Sequence, residues 1–279
     1  TEKWLEVHGL EHWTEFYTDY GVNIQKRFFG HYLKGEDNNW RNEPRVTLQV
    51  RYPGNKFVER KENEWPLKRT NWTKLYLTPT GSLSSEEQIF EKTKIEYDGF
   101  GEGITFVSQP LSGETEITGP MASKLFISSE STDADLFLVV RVFSEDFKEI
   151  TFNGALDPNT PVGQGWLRAS HRKLDPNMSK PYRPYYTHDE IQPLEPQKIY
   201  ELDIEIWPTS IVIPKNYRIA LTVRGRDYVN QSGGGSTLPN MNKFSGCGPF
   251  LHNDSDDRPL DVFGKKVSLH FSDKQSPYL

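Results

Sequence analysis

The sequence predicts a mainly β protein, a jelly-roll β-sandwich with a short helical segment in front of it. Three observations carry that reading. Period-two alternation begins near residue 43 and recurs in at least nine short runs. The 19 prolines and 21 glycines are scattered between those runs, as turns require. Only one stretch, near the amino end, carries apolar residues at helical spacing.

Taken in order, WLEV (4–7) reads as a short strand with its bulk toward a core. A histidine-bearing loop, HGLEH (8–12), comes next. The spacing then predicts a helix over 20–34, with Val22, Gln25, Phe28, Phe29, Tyr32 and Leu33 on one side. Lys34 in the last turn and Gly35 just beyond give a stop signal. A helix this rich in Phe and Tyr needs a sheet or another domain to cover it. Strands are expected over 45–52, 72–78, 103–107, 124–128, 135–143, 166–170, 199–206, 217–224 and 266–271. IYELDIEI alternates apolar and charged residues, as a half-buried antiparallel strand does. DLFLVVRVF is nearly all apolar and is expected at the centre of a sheet.

The totals exclude several function classes. A net charge of −6 argues against nucleic acid, which selects a basic face. One cysteine, Cys247, forbids an internal disulfide framework. No apolar run approaches the ~20 residues of a membrane span. The start lacks a basic-plus-apolar leader, so the expectation is a cytoplasmic protein without a membrane partner. With 35% hydrophobic residues the core is lean in number, but 13% aromatics supply area.

His12 is the first chemical candidate. An imidazole at a strand's end titrates near neutrality and can act as a general base. His8, Glu11 and His12 have two histidines at metal spacing, yet Gly9 disfavours a helix there and no third ligand follows at a recognisable distance, so no metal or other cofactor is expected. No Gly-x-Ser-x-Gly elbow is present. NQSGGGST (230–237) has the wrong spacing for an elbow or a phosphate loop and reads as a surface loop. Cys247 between glycines reads as packing rather than a nucleophile. Asp254, Asp256 and Asp257 lack the framework of a calcium loop. Trp40, Trp65, Trp72 and Trp166 are candidates for a sugar platform, with packing the plainer account.

Several segments together carry a family resemblance. QKRFFGHYLKGEDNNW (25–40) resembles the Q-x-R-F-F-D-H-[WF]-L-K-G segment of hydrolases related to cocaine esterase and X-prolyl dipeptidyl-peptidase, with Gly30 where that family often has Asp. PRVTLQVR (44–51), ENEWPL (62–67) and WTKLYL (72–77) are similar to the stretches downstream of that segment in the same family. GWLRASHRKLD (165–175), LDIEIWPTSIVIPKNYRIALTVRGRD (202–227) and HNDSDDRPLD (252–261) resemble its jelly-roll signatures, in the same order. The resemblance implies that residues 1–42 are the last strand, histidine loop and terminal helix of an α/β-hydrolase domain, and residues 43–279 its C-terminal jelly roll. It implies a Ser-Asp-His triad with Ser and Asp upstream of this chain, and it selects His12, at the place of the histidine in the family's Gly-Pro-Trp-x-His loop, as the catalytic base. The implied partners are the hydrolase and cap domains and a small ester or peptide substrate, and the helix face could also drive self-association. Arg168, His171, Arg172 and Asp175 are then expected in a hydrogen-bonded network rather than in catalysis. The competing reading is a non-catalytic β-sandwich that binds carbohydrate or peptide through aromatic loops.

Overall fold

The computed structural model describes residues 2–9, the backbone of 12, and residues 13–54, 56–154, 157, 159–230, 246–247 and 251–279. The chain opens with β1 (Leu5–Glu6), α1 (His12–Tyr17) and α2 (Asp19–Lys34). A 3-10 turn, Trp40–Asn42, leads to β2 (Val46–Tyr52) and β3 (Lys56–Glu62). Next come β4 (Tyr76–Leu77), β5 (Ser82–Ser84), β6 (Thr93–Asp98), β7 (Ile104–Ser108), β8 (Thr115–Ser129) and β9 (Asp135–Phe143). The chain continues through β10 (Glu149–Ile150), β11 (Gly163–Arg168), β12 (Tyr200–Ile213), β13 (Arg218–Arg224), α3 (Leu260–Phe263) and β14 (Lys266–Phe271).

Two seven-stranded sheets face each other. The first runs β1-β2-β12-β8-β14-β6, with β3 also on β2; the second runs β10-β9-β13-β7-β5-β4, with β11 also on β9. The mainly β sandwich expected from the sequence is present. Its pairing is mixed rather than purely antiparallel, because β1 and β12 pair with β2, and β5 with β7, in parallel. Alternation explains the core. In β12, Leu202, Ile204 and Ile206 are buried while Glu201, Asp203 and Glu205 point outward. They meet Leu138 and Val140 of β9 and Leu221 and Val223 of β13 in one apolar cluster. In β9 the outward Phe137 and Val139 are buried too, Phe137 under the loop that carries His252 and Arg258. That double cover is why the strand reads as apolar throughout.

Strand β12 runs seven residues beyond its expected end, to Ile213. The register on β8 shifts between Ile206 and Thr209, around Trp207-Pro208, where proline lacks the N–H a ladder needs. Strand β1 was expected to send its bulk to a core. Instead Leu5 and Val7 are exposed, and the strand is hydrogen-bonded through Leu5 N–H to the Arg45 carbonyl (2.9 Å) along the edge of β2.

Helix α2 lies where the spacing placed it. The Thr18 hydroxyl accepts from Gly21 N–H at 3.0 Å as N-cap, and Gly35, at φ 69°, closes it in the left-handed conformation that favours glycine. Its apolar side divides in two. Phe28 and Tyr32 gather with Trp4 and Trp40, ring centroids 4.9–6.4 Å apart. Phe29 and Leu33 are 51% and 77% exposed. A Cβ on Gly30 would meet the flexible carboxylate of Glu36 and come within 3.3 Å of Asn38 Nδ2, so a larger residue here requires Glu36 to swing aside and Asn38 to give slightly.

Candidate functional site

A cleft of about 250 Å³ opens where β1 ends, between the histidine segment and the first sheet. His8 and Gly9 form one lip; Leu48, Phe57 and Trp65 give apolar surface; Arg51 and Thr209 supply polarity. Alternation along β2 buries Val46, Leu48 and Val50 and turns the odd-numbered residues to the other face. Arg51 thereby reaches the Thr209 hydroxyl at 2.9 Å, and its guanidinium lies 5.6 Å from the Phe152 ring centroid. Burial pushes the Arg51 guanidinium down from its ordinary value. The hydroxyl of Ser210, also on the cleft, is paired with Thr118 at 3.1 Å. The cleft can therefore hold an apolar group and orient an oxygen-bearing one, while its own hydroxyls are engaged.

The helices are tied to this lip. Tyr20 of α2 interacts with the Glu6 carboxylate on β1. Burial holds the Glu6 carboxyl above the usual carboxylate range and raises the Tyr20 phenol, the carboxylate adding to the latter. Arg45 covers the Trp4 ring at 4.3 Å, and Arg27 pairs with Glu43 at 2.5 Å.

His12 was expected in the loop between strand and helix. Its backbone instead opens α1, and its side chain, with Leu10 and Glu11, lies outside the described residues. His8 is the histidine that the structure brings to the cleft. Cys247 is half-buried, and burial, with Asp227 and Asp157 nearby, pushes its thiol up, away from the thiolate a nucleophile needs. Of NQSGGGST only Asn230 is described; residues 231–237 lie outside the described residues.

The expected network of four does not form as a unit. Arg168 joins Asp135 (2.9 Å) and Asp257 (2.9 Å), and Arg258 reaches the same Asp135 at 2.8 Å. Arg172 instead donates to the carbonyls of Ala169 and Gln192, Asp175 accepts from Asn177 and Met178 N–H, and His171 faces His188. Asp257 is thus an ion-pair partner, its carboxyl held below the usual range by Arg168, while Asp254 accepts from Asp256 N–H. Among the described residues no group of three or more His, Cys, Asp or Glu could hold a metal ion. Trp40 is buried, Trp65 lines the cleft, Trp72 stacks on Tyr182 at 4.3 Å, and Trp166 meets Trp207 edge-on. Sequence reasoning missed Arg51 and Thr209. They are 158 residues apart, and only the parallel β2–β12 contact joins them.

The fold and cleft together define a two-sheet sandwich module that carries a helical hook on its edge. The chain belongs to the family described as the X-Pro dipeptidyl-peptidase C-terminal non-catalytic domain, whose model matches residues 38–247. It is similar to a CocE/NonD family hydrolase from Staphylococcus aureus, at 27% identity and a TM-score of 0.83, over 99% of this chain and 48% of that one. Two proteins named "Putative serine esterase", from Mycobacterium bovis and Mycobacterium tuberculosis, are 34% identical over 132 residues, 44% of this chain and 19% of theirs. An aminopeptidase from a marine-sediment Thaumarchaeota archaeon shares the fold, with a TM-score of 0.61 at 15% identity over 93% of this chain and 44% of that one. The chain spans about half the length of the hydrolase structure and about a fifth of the curated relatives. Among the described residues no helix is long and apolar enough to cross a membrane.

Proposed function

We propose that residues 1–42 end an α/β-hydrolase domain and residues 43–279 form the jelly roll attached to it, in a serine hydrolase that cleaves an ester or an X-Pro peptide bond. His12 is the general base: it takes the proton of a serine as that serine attacks the carbonyl, then delivers it to the leaving group. The serine and the aspartate that orients His12 lie before Thr1, within the hydrolase domain, with a cap domain beside them. The jelly roll is scaffold, and its cleft beside His8 and Arg51 forms part of the substrate wall.

One observation carries this reading. The similarity to the Staphylococcus aureus CocE/NonD hydrolase extends over 99% of this chain, so it takes in the histidine segment and both helices as well as the sandwich. The exposed rings of Phe16, Tyr17, Tyr20 and Phe29 support it, as they give a neighbouring domain a surface to cover. A fluorophosphonate probe tests it. The longer protein is expected to label at one serine, and His12→Ala in it to lower turnover by about 10⁴- to 10⁶-fold with the fold intact. The 279-residue chain alone is expected not to label. Specific labelling of the isolated chain, or turnover that survives His12→Ala, overturns the assignment.

A further inference from the structure

The outer face of the second sheet holds a polar pocket of about 400 Å³, formed by strands β7, β9 and β13 and by the segment just after β13. Strand alternation builds it. In β13, Leu221 and Val223 enter the core, so Thr222 and Arg224 face outward; in β9, Leu138 and Val140 enter it, so Arg141 faces outward. Two guanidinium groups therefore share one face of the sheet. Tyr228 and Asn230 close over that face, and Arg224 is left only 3% exposed.

The two arginines are compensated unequally. Arg141 makes a two-pronged pair with Glu149, at 2.8 and 2.6 Å, and the Tyr228 hydroxyl donates to the same carboxylate at 2.7 Å. That carboxylate is pinned. Among the described residues Arg224 hydrogen-bonds Glu102 through Nη2 and lies 5.9 Å from the Tyr228 ring centroid, and its Nε is buried without a hydrogen-bond partner. Glu102 is not pinned by burial: its side chain is 59% exposed. It stands between Gly101 and Gly103 and is shared with Arg226, which is itself 53% exposed. If Glu102 swings out, the guanidinium groups of Arg141, Arg224 and Arg226 keep Glu149 as the carboxylate bonded on this face, with Asp227, which His252 engages, as a second one acting on Arg224, in a chain whose net charge is −6. A planar guanidinium fork with a bare N–H suits an oxyanion, which can take two parallel bonds where Glu102 takes one.

We propose that this pocket is a binding site for a small oxyanion, carboxylate or phosphate, and that Glu102 occupies the ligand's place when none is bound. The ligand displaces Glu102, spans Arg224 and Arg226, and satisfies the buried Nε of Arg224. Glu102 acts as an internal competitor, so its neutralisation strengthens binding.

Isothermal titration calorimetry of the 279-residue chain with inorganic phosphate, and separately with succinate, tests this at low ionic strength. Glu102→Gln is expected to bind one of the two anions at least ~10-fold more tightly than the wild type, since a competing carboxylate has gone. Arg226→Gln, at an exposed position, is expected to weaken that binding ~3- to 10-fold, and Arg224→Gln to abolish it. Circular dichroism identifies any variant that fails to fold; should Arg224→Gln be one, the Glu102 and Arg226 variants decide the matter. The anion with the larger gain in Glu102→Gln identifies the source, phosphate ester or carboxylic acid. The proposal is overturned if Glu102→Gln binds neither anion more tightly, or if Arg226→Gln binds as well as the wild type.

Discussion

The helical segment, residues 1–42, and the sandwich attached to it solve burial in opposite ways. Among the described residues the segment leaves nine large apolar side chains exposed in 42 positions, whereas the much longer sandwich leaves eleven. Among the described residues of the segment only Gly21, Gly30 and Trp40 are buried. The sandwich encloses whole side chains, from Phe106 and Leu125 to Ile204 and Leu221. The difference shows which parts are self-sufficient. Two facing sheets bury their own apolar faces, whereas two short helices against one sheet edge cover only the Trp4–Phe28–Trp40 side.

The largest effect that separates the regions is expected at Asp135. Its carboxylate is the shared counter-ion of Arg168 and Arg258, and the Arg258 side chain is 4% exposed. Asp135→Asn leaves that guanidinium buried with its charge uncompensated, a loss of about 3–5 kcal/mol. A urea midpoint that falls accordingly checks it. The matching change in the segment, Glu2→Gln, breaks an exposed pair with Arg45, and the midpoint should not move. Equal losses from the two would break the contrast.

A smaller effect, dependent on pH, is expected at His270 of β14. Burial holds this imidazole below its ordinary value of 6.5, with Lys94 and Lys92 adding to the shift and Glu96 opposing it, while Nε2 meets the Ser128 hydroxyl at 2.8 Å. The folded state thus prefers the neutral ring. Its contribution is present above the unfolded value of 6.5 and is lost as pH falls from there through the depressed folded value. The slope cannot exceed about 1.4 kcal/mol per pH unit from one group. Denaturant midpoints at pH 7.5 and 5.5 should differ less in His270→Gln than in the wild type; an unchanged difference would place the acid sensitivity elsewhere.

Legibility in the sequence split along the same line between local and distant. Helix α2, its Gly35 stop, and strands β9 and β14 were readable because spacing and caps are local signals. Strand β3 (KFVERKE) was not, since it carries charges on both faces. The parallel β5–β7 pair was not, since three residues carry no period. Strand β8 extends nine residues before its expected start, through Gly119, which pairs with Thr209, and Pro120, which stands unpaired at the register shift; both read as punctuation yet lie inside the strand. The candidate site was half legible. The histidine segment stands out in any reading of the first residues. Arg51 and Thr209 signal nothing until β2 and β12 are side by side, and the same holds for Arg141, Arg224 and Glu102, which come from three separate stretches of the chain.

The smallest expected change in stability lies on the open side of α2, where it bears most directly on the contrast. Phe29 and Leu33, at 51% and 77% exposure, contribute little burial to the fold as it stands. The helix keeps its Thr18 and Gly35 caps and its Phe28 packing without them. Phe29→Gln with Leu33→Gln uses good helix formers and is expected to alter the unfolding free energy by no more than about 0.5 kcal/mol. Its effect should fall on association instead. An exposed apolar face of this kind draws copies together in solution, so sedimentation velocity of the wild-type chain is expected to show concentration-dependent self-association that the double variant lacks. A wild-type chain that stays monomeric, or a double variant that loses several kcal/mol, would mean that the face is already covered within one copy, and the division between a self-contained sandwich and an open hook would not hold.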